Sequence, residues 1–117
     1  MAHKPAAQTI FPWLRENGMR LGALTDHDAK ALLAAVQVAE LWLRGDHANR
    51  ELSAVAFRNV VMQMQDSTRY LAFHAIAHVG DWCHRWELWR AAGLAAPVGC
   101  PECKYGPRRA DVPAQAA

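Results

Sequence analysis

Between Thr25 and Ala92 apolar residues recur at intervals of three and four, and no segment alternates with the two-residue period of a half-buried strand. The pattern predicts helices. Pro12 opens a short first piece that Gly18 and Gly22 close, an arm rather than a core element. Thr25 or Asp26 caps a second helix, which runs to Arg44 and stops at Gly45. Asp46 starts a third that extends to about Gln65. Asp66 or Ser67 caps the fourth and longest, through Trp89 to Ala92, with Gly93 as its stop.

The faces of these helices set the expected packing. In the second, Ala29, Leu32, Leu33, Val36, Ala39 and Leu43 form one stripe, which Val38, Leu41 and Trp42 widen. Only Asp26, Lys30, Gln37, Glu40 and Arg44 remain as a polar strip. Such a helix needs cover on most sides, from its own bundle or from a second subunit. In the third, Leu52, Val55, Ala56 and Val60 are expected to face inward, with Arg50, Glu51, Arg58 and Gln65 outward. In the fourth, Leu71, Ala75, Val79, Trp82, Trp86 and Trp89 share the core face. Short turns between long helices imply antiparallel neighbours. The expected fold is therefore all-α: a small antiparallel bundle of three main helices, a short N-terminal helix and an irregular Cys-containing tail. One domain is expected over residues 1–117, with its helical core at about 12–93 and the CxxC tail at 94–117.

Composition narrows the functional classes. The 117 residues are 52% hydrophobic and 21% charged, with a net charge of +2. That is a globular composition. The single basic cluster, Arg108-Arg109, is too small for a nucleic-acid footprint. No apolar run reaches the ~20 residues of a membrane span, and the N-terminal residues lack a signal-peptide pattern. A cytoplasmic protein with reduced cysteines is expected, with no nucleic-acid or membrane partner.

Two groups of residues carry candidate chemistry. On the fourth helix His74, His78, Asp81 and Arg85 fall within a strip about 60° wide. Two imidazoles one turn apart, with a carboxylate a turn further on, can converge on a divalent ion or form a proton-transfer pair. The bland alternative is a border of half-buried, hydrogen-bonded histidines beside an Asp81–Arg85 ion pair. In the tail, Cys100-Pro101-Glu102-Cys103 has the shape of a zinc knuckle, which supplies two thiolates where a structural zinc needs four ligands. The preferred set is Cys100, Cys103, His74 and His78, a zinc that folds the tail back over the helix. A three-cysteine site with Cys83 and His84 is less favoured, because adjacent residues rarely converge, and Cys83 reads as a buried core thiol. A free, reduced CxxC is the alternative to any site. A thioredoxin-like redox pair has no βαβ pattern to support it. Met62 and Met64 read as core filler.

Residues 35–89 resemble a helical family of immunity proteins from bacterial polymorphic toxin systems. The resemblance rests on Ala39-Glu40-Leu41-Trp42-Leu43-Arg44-Gly45-Asp46 and on Ala72-Phe73-His74-Ala75-Ile76-Ala77-His78-Val79. It covers about half the chain, and the Trp-rich end of the fourth helix and the Cys pair depart from it. It implies a non-catalytic role in binding a toxin. Taken with the residues themselves, the expectation is a non-enzymatic interaction protein with a protein partner or a second copy of itself. The alternative is a metal-dependent enzyme or metal-handling protein centred on His74, His78 and Asp81.

Overall fold

The computed structural model describes residues 6–22 and 24–95, and these residues contain helices and no strand. Five helices follow one another: α1 (Ala6–Glu16), α2 (Asp26–Arg44), α3 (His47–Met62), α4 (Arg69–Val79) and α5 (Trp82–Ala91), with a 3-10 turn at Asp66–Thr68 before α4. α2 packs against α1, α3 and α4, while α5 packs on α3 and α4. Most of the broad apolar surface of α2 is thus covered from within the bundle, with Leu41 left exposed.

α2 begins and ends where its residue types dictate. Thr25 lies in extended backbone, and its hydroxyl accepts the Asp28 N–H at 3.1 Å. At the other end Arg50 of α3 reaches back, its Nε donating to the Trp42 carbonyl at 2.9 Å and its guanidinium lying 4.8 Å above the Trp42 ring. Arg58, two turns further along α3, does the same for α5, with Nη1 donating to the Gly93 carbonyl at 2.7 Å. Gly93 sits there at φ +70°, the left-handed position that ends a helix and that a side chain resists.

Four expectations need correction. First, α1 is no arm. It starts at Ala6, carries Pro12 inside it, and buries Ile10 and Leu14 completely. Each fully buried aliphatic side chain contributes about 1.5–3 kcal/mol, enough between them to offset the ~3 kcal/mol of an internal proline. Second, the long fourth helix is two helices, because Gly80 takes an extended conformation and Asp81 caps a new start. A face traced at constant angle across Gly80 loses its phase. Trp86, Leu88 and Trp89 are buried, yet Trp82 is 47% exposed and Val79 only half-buried. α4 also starts later than expected, at Arg69 after the 3-10 turn.

Third, α3 buries a different face, although Val60, expected inward, is half-buried against the core and Arg50, Glu51, Arg58 and Gln65 are exposed as expected. Ala54, Phe57 and Val61 point inward, with the Phe57 ring edge-on to Trp89 at 6.0 Å. Leu52 and Val55 face solvent, 70% and 59% exposed, and Ala56 is exposed with them. The helix ends at Met62, which is also exposed, whereas Met64 is buried. Fourth, Cys83 is exposed rather than a core thiol.

One buried charge fixes the corner between α2 and the turn before α4. Asp28, on the first turn of α2, is wholly buried. Its Oδ2 accepts the Thr68 hydroxyl at 2.5 Å and the Gln65 N–H at 3.2 Å. Next to it, His27 Nε2 pairs with the Gln63 carbonyl at 3.1 Å. The helix N-terminus adds favourable dipole field to the carboxylate.

Candidate functional site

Around the break at Gly80 lie His74, His78, Asp81, Cys83, His84 and Arg85, together with the Trp13 and Trp82 rings. Gly80 is extended between the two helices, and residues close in sequence serve different surroundings.

On α4, His74 is buried among rings, edge-on to Phe73 at 5.6 Å and to Trp82 at 6.1 Å. The Arg85 guanidinium lies 4.4 Å from the Trp82 ring centre and 5.1 Å from that of Phe73. Burial, and then the positive charge of Arg85, push the His74 pKa from 6.5 down to about 4. His74 is therefore neutral at pH 7. A neutral imidazole suits a metal, but the buried guanidinium beside it opposes a cation. His78, one turn on, looks toward α1. Its Nε2 lies 2.6 Å from the Thr9 hydroxyl, and its ring is 5.1 Å from that of Trp13. The two histidines expected to converge thus engage different neighbours, α5 for His74 and α1 for His78.

On the far side of Gly80 a different set comes together. One ligand atom each from Asp81, Cys83 and His84 lies within 4.8 Å of the others, the group among the described residues that could hold an ion. Asp81 joins the adjacent Cys83 and His84 because it is the N-cap of α5, in extended backbone just before the helix that carries them. Carboxylate, thiol and imidazole are all zinc donors. The same residues also have a purely structural task. His84 Nδ1 accepts the Asp81 N–H at 2.9 Å, closing a capping box in which histidine replaces the usual glutamate. With that bond made, the ring proton sits on Nε2, so an ion at Nδ1 must displace the cap. Cys100 and Cys103 lie outside the described residues.

His84 is held against Trp42, ring to ring at 6.4 Å, and against Gly80. A Cβ at position 80 would stand 2.7 Å from His84 Nδ1 and 2.9 Å from Leu43 Cδ1. Gly80→Ala is accordingly expected to expel the imidazole, break the cap and lower stability by about 1–3 kcal/mol. Urea unfolding at pH 7 measures this, and an unchanged midpoint contradicts the packing described here.

The second notable surface is apolar. Leu52 and Val55, with Met62 at 48% exposure, lie along the outer side of α3. Leu41 of α2, 62% exposed, is a further exposed apolar side chain. Scattered exposed leucines are ordinary, but several on one helix face are a mark of binding surfaces. Leu52 and Val55 are visible in the sequence as part of an apolar stripe, whereas Met62 reads there as core filler. Their exposure is not visible there, because α3 carries apolar residues on two sides and periodicity alone does not choose between them.

Among the described residues, no helix is long and apolar enough to cross a membrane. No protein-family model, no curated protein and no solved structure matches this chain.

Proposed function

We propose that the chain is a non-enzymatic binding protein, a bundle with antiparallel main helices that engages another protein through the outer face of α3. The observation that carries this reading is the row of exposed apolar side chains Leu52, Val55 and Met62 on a helix whose opposite side already fills the core. Such a row loses water-exposed apolar area on docking, worth about 25 cal/mol per Å² before the costs of association. The resemblance to immunity proteins points the same way, to binding without catalysis. The enzyme reading centred on His74, His78 and Asp81 gains less support. His74 is buried beside Arg85, and Asp81 lies beyond the Gly80 break.

A photo-reactive benzophenone side chain placed at position 55 tests the proposal in living cells. A covalent protein adduct from position 55, absent from a control at exposed Glu16 of α1, is the expected result. No adduct from position 55 rejects the reading.

Zinc is a second element of the proposal, favoured by the compact Asp81, Cys83 and His84 trio. The ion would tie the tail thiols Cys100 and Cys103 to the helical domain, in a cytoplasmic setting where thiols stay reduced. Two members of the trio complete the four ligands; His74 and His78, turned to different neighbours with Arg85 beside His74, are the less favoured pair. Metal analysis of the purified protein distinguishes them. Loss of zinc in Cys83→Ser or His84→Gln assigns the trio, and loss in His78→Gln assigns the α4 pair. A wild-type protein without zinc ends the zinc proposal.

A further inference from the structure

The outer face of α3 has more than exposed apolar residues: it has a pattern of charge that answers itself. Ala48, Leu52, Val55, Asn59 and Met62 follow spacings of four, three, four and three, the seam of a two-stranded coiled coil, and all are exposed. The seam is flanked on one side by Glu51 and Arg58, one heptad apart at equivalent positions. On the other side lie Asn49, Ala56 and Gln63, none of them charged. We infer that the partner of this face is a second copy of the same chain, with the two α3 helices packed antiparallel about a two-fold axis. The inference rests on the reading of this face as the binding surface and names its occupant.

The orientation follows from the charges. In an antiparallel pair, like flanks meet. Aligning the seams sets Leu52 against the partner's Val55 and Ala48 against the partner's Asn59. In the same register Glu51 faces the partner's Arg58, and the two-fold axis makes this ion pair twice. A parallel pair brings unlike flanks together, so Glu51 faces Ala56 and Arg58 faces Gln63, and neither charge is answered. Arg58 is already steadied by its bonds to the Ala92 and Gly93 carbonyls through Nη1, which leaves its other N–H groups to donate. Glu51 has only an exposed neighbour on its own helix, His47 Nε2 at 3.7 Å. Asn59, a polar residue in the seam, opposes slippage to other registers at some cost in affinity. A face of two heptads lies at the small end of stable interfaces, so dimerisation in the micromolar range is expected.

Analytical ultracentrifugation of the full chain over a concentration series provides the test, with circular dichroism checking that each variant is folded. Wild type is expected to dimerise reversibly. Glu51→Arg and Arg58→Glu, each alone, set like charges together in both copies of the pair and weaken dimerisation about tenfold or more. Mixing the two variants restores it, because a heterodimer then has both pairs attractive again, a rescue that loss of the Arg58 contacts to α5 does not produce. Should Arg58→Glu misfold, Arg58→Gln and Glu51→Gln replace the pair and weaken dimerisation without repulsion. A wild-type chain that stays monomeric at all concentrations overturns the inference, and so does a dimer indifferent to mixing. If the chain is monomeric but position 55 still cross-links to a protein of different mass, the binding reading stands and only its occupant is wrong.

Discussion

Replacing Asp28 with alanine is expected to lower stability by about 2–4 kcal/mol, read as a shift in the urea midpoint at pH 7. The carboxylate is wholly buried and accepts both the Thr68 hydroxyl and the Gln65 N–H. Alanine leaves those donors without their acceptor and opens space at the base of α2. Burial of the charge has its own cost, and Oδ1 has no hydrogen-bond partner, so the net loss falls short of two full charge-assisted bonds. Asp28→Asn separates the contributions. It keeps a side-chain oxygen in place of Oδ2 and should retain more than half of the lost stability. A midpoint unmoved in Asp28→Ala would show that the corner is held by other contacts.

The second large effect is acid sensitivity through His74. Its pKa is about 4 in the folded chain against 6.5 for a free imidazole, lowered by burial first and by Arg85 second. Between those values the unfolded chain binds a proton that the folded chain refuses. Stability from this residue is complete above pH 6.5 and is lost as pH falls toward 4. At pH 4.5 the loss amounts to about 2–3 kcal/mol. His74→Leu removes the titrating group and should flatten this part of the profile, whatever it does to stability at pH 7. Equal slopes for wild type and variant between pH 7 and 4.5 would place His74 in a wetter setting than the one described.

What the sequence revealed depended on how a signal was read. Gly45-Asp46 reads as a stop followed by a start, and α2 ends and α3 begins there. The same pair recurs at Gly80-Asp81, where apolar residues on both sides suggested one continuous helix. The structure stops α4 and starts α5 at that point. The expected place of Asp81 beside His74 and His78 depends on that continuity. A wheel drawn through Gly80 lines up His74, His78 and Asp81, and it hides the approach of Asp81, Cys83 and His84.

Other features depended on tertiary contacts that no local pattern encodes. Phe57 and Val61 decide the inner face of α3 because Trp89 and its neighbours await them. Pro12 seemed to start a helix, yet α1 passes through it because Ile10 and Leu14 have a core to enter. Asp28 reads locally as a good first-turn acid. Its bonds to Thr68 and Gln65 link residues about forty positions apart and are invisible in one dimension.

The proposed cover over the outer face of α3 is measured directly by hydroxyl-radical footprinting. Oxidation rates of Leu52, Val55 and Met62 are compared between living cells and the purified chain at high dilution, with exposed Trp82 as the internal reference. Relative to Trp82, all three α3 side chains are predicted to react several-fold more slowly in cells. Equal relative rates in the two settings would contradict the account.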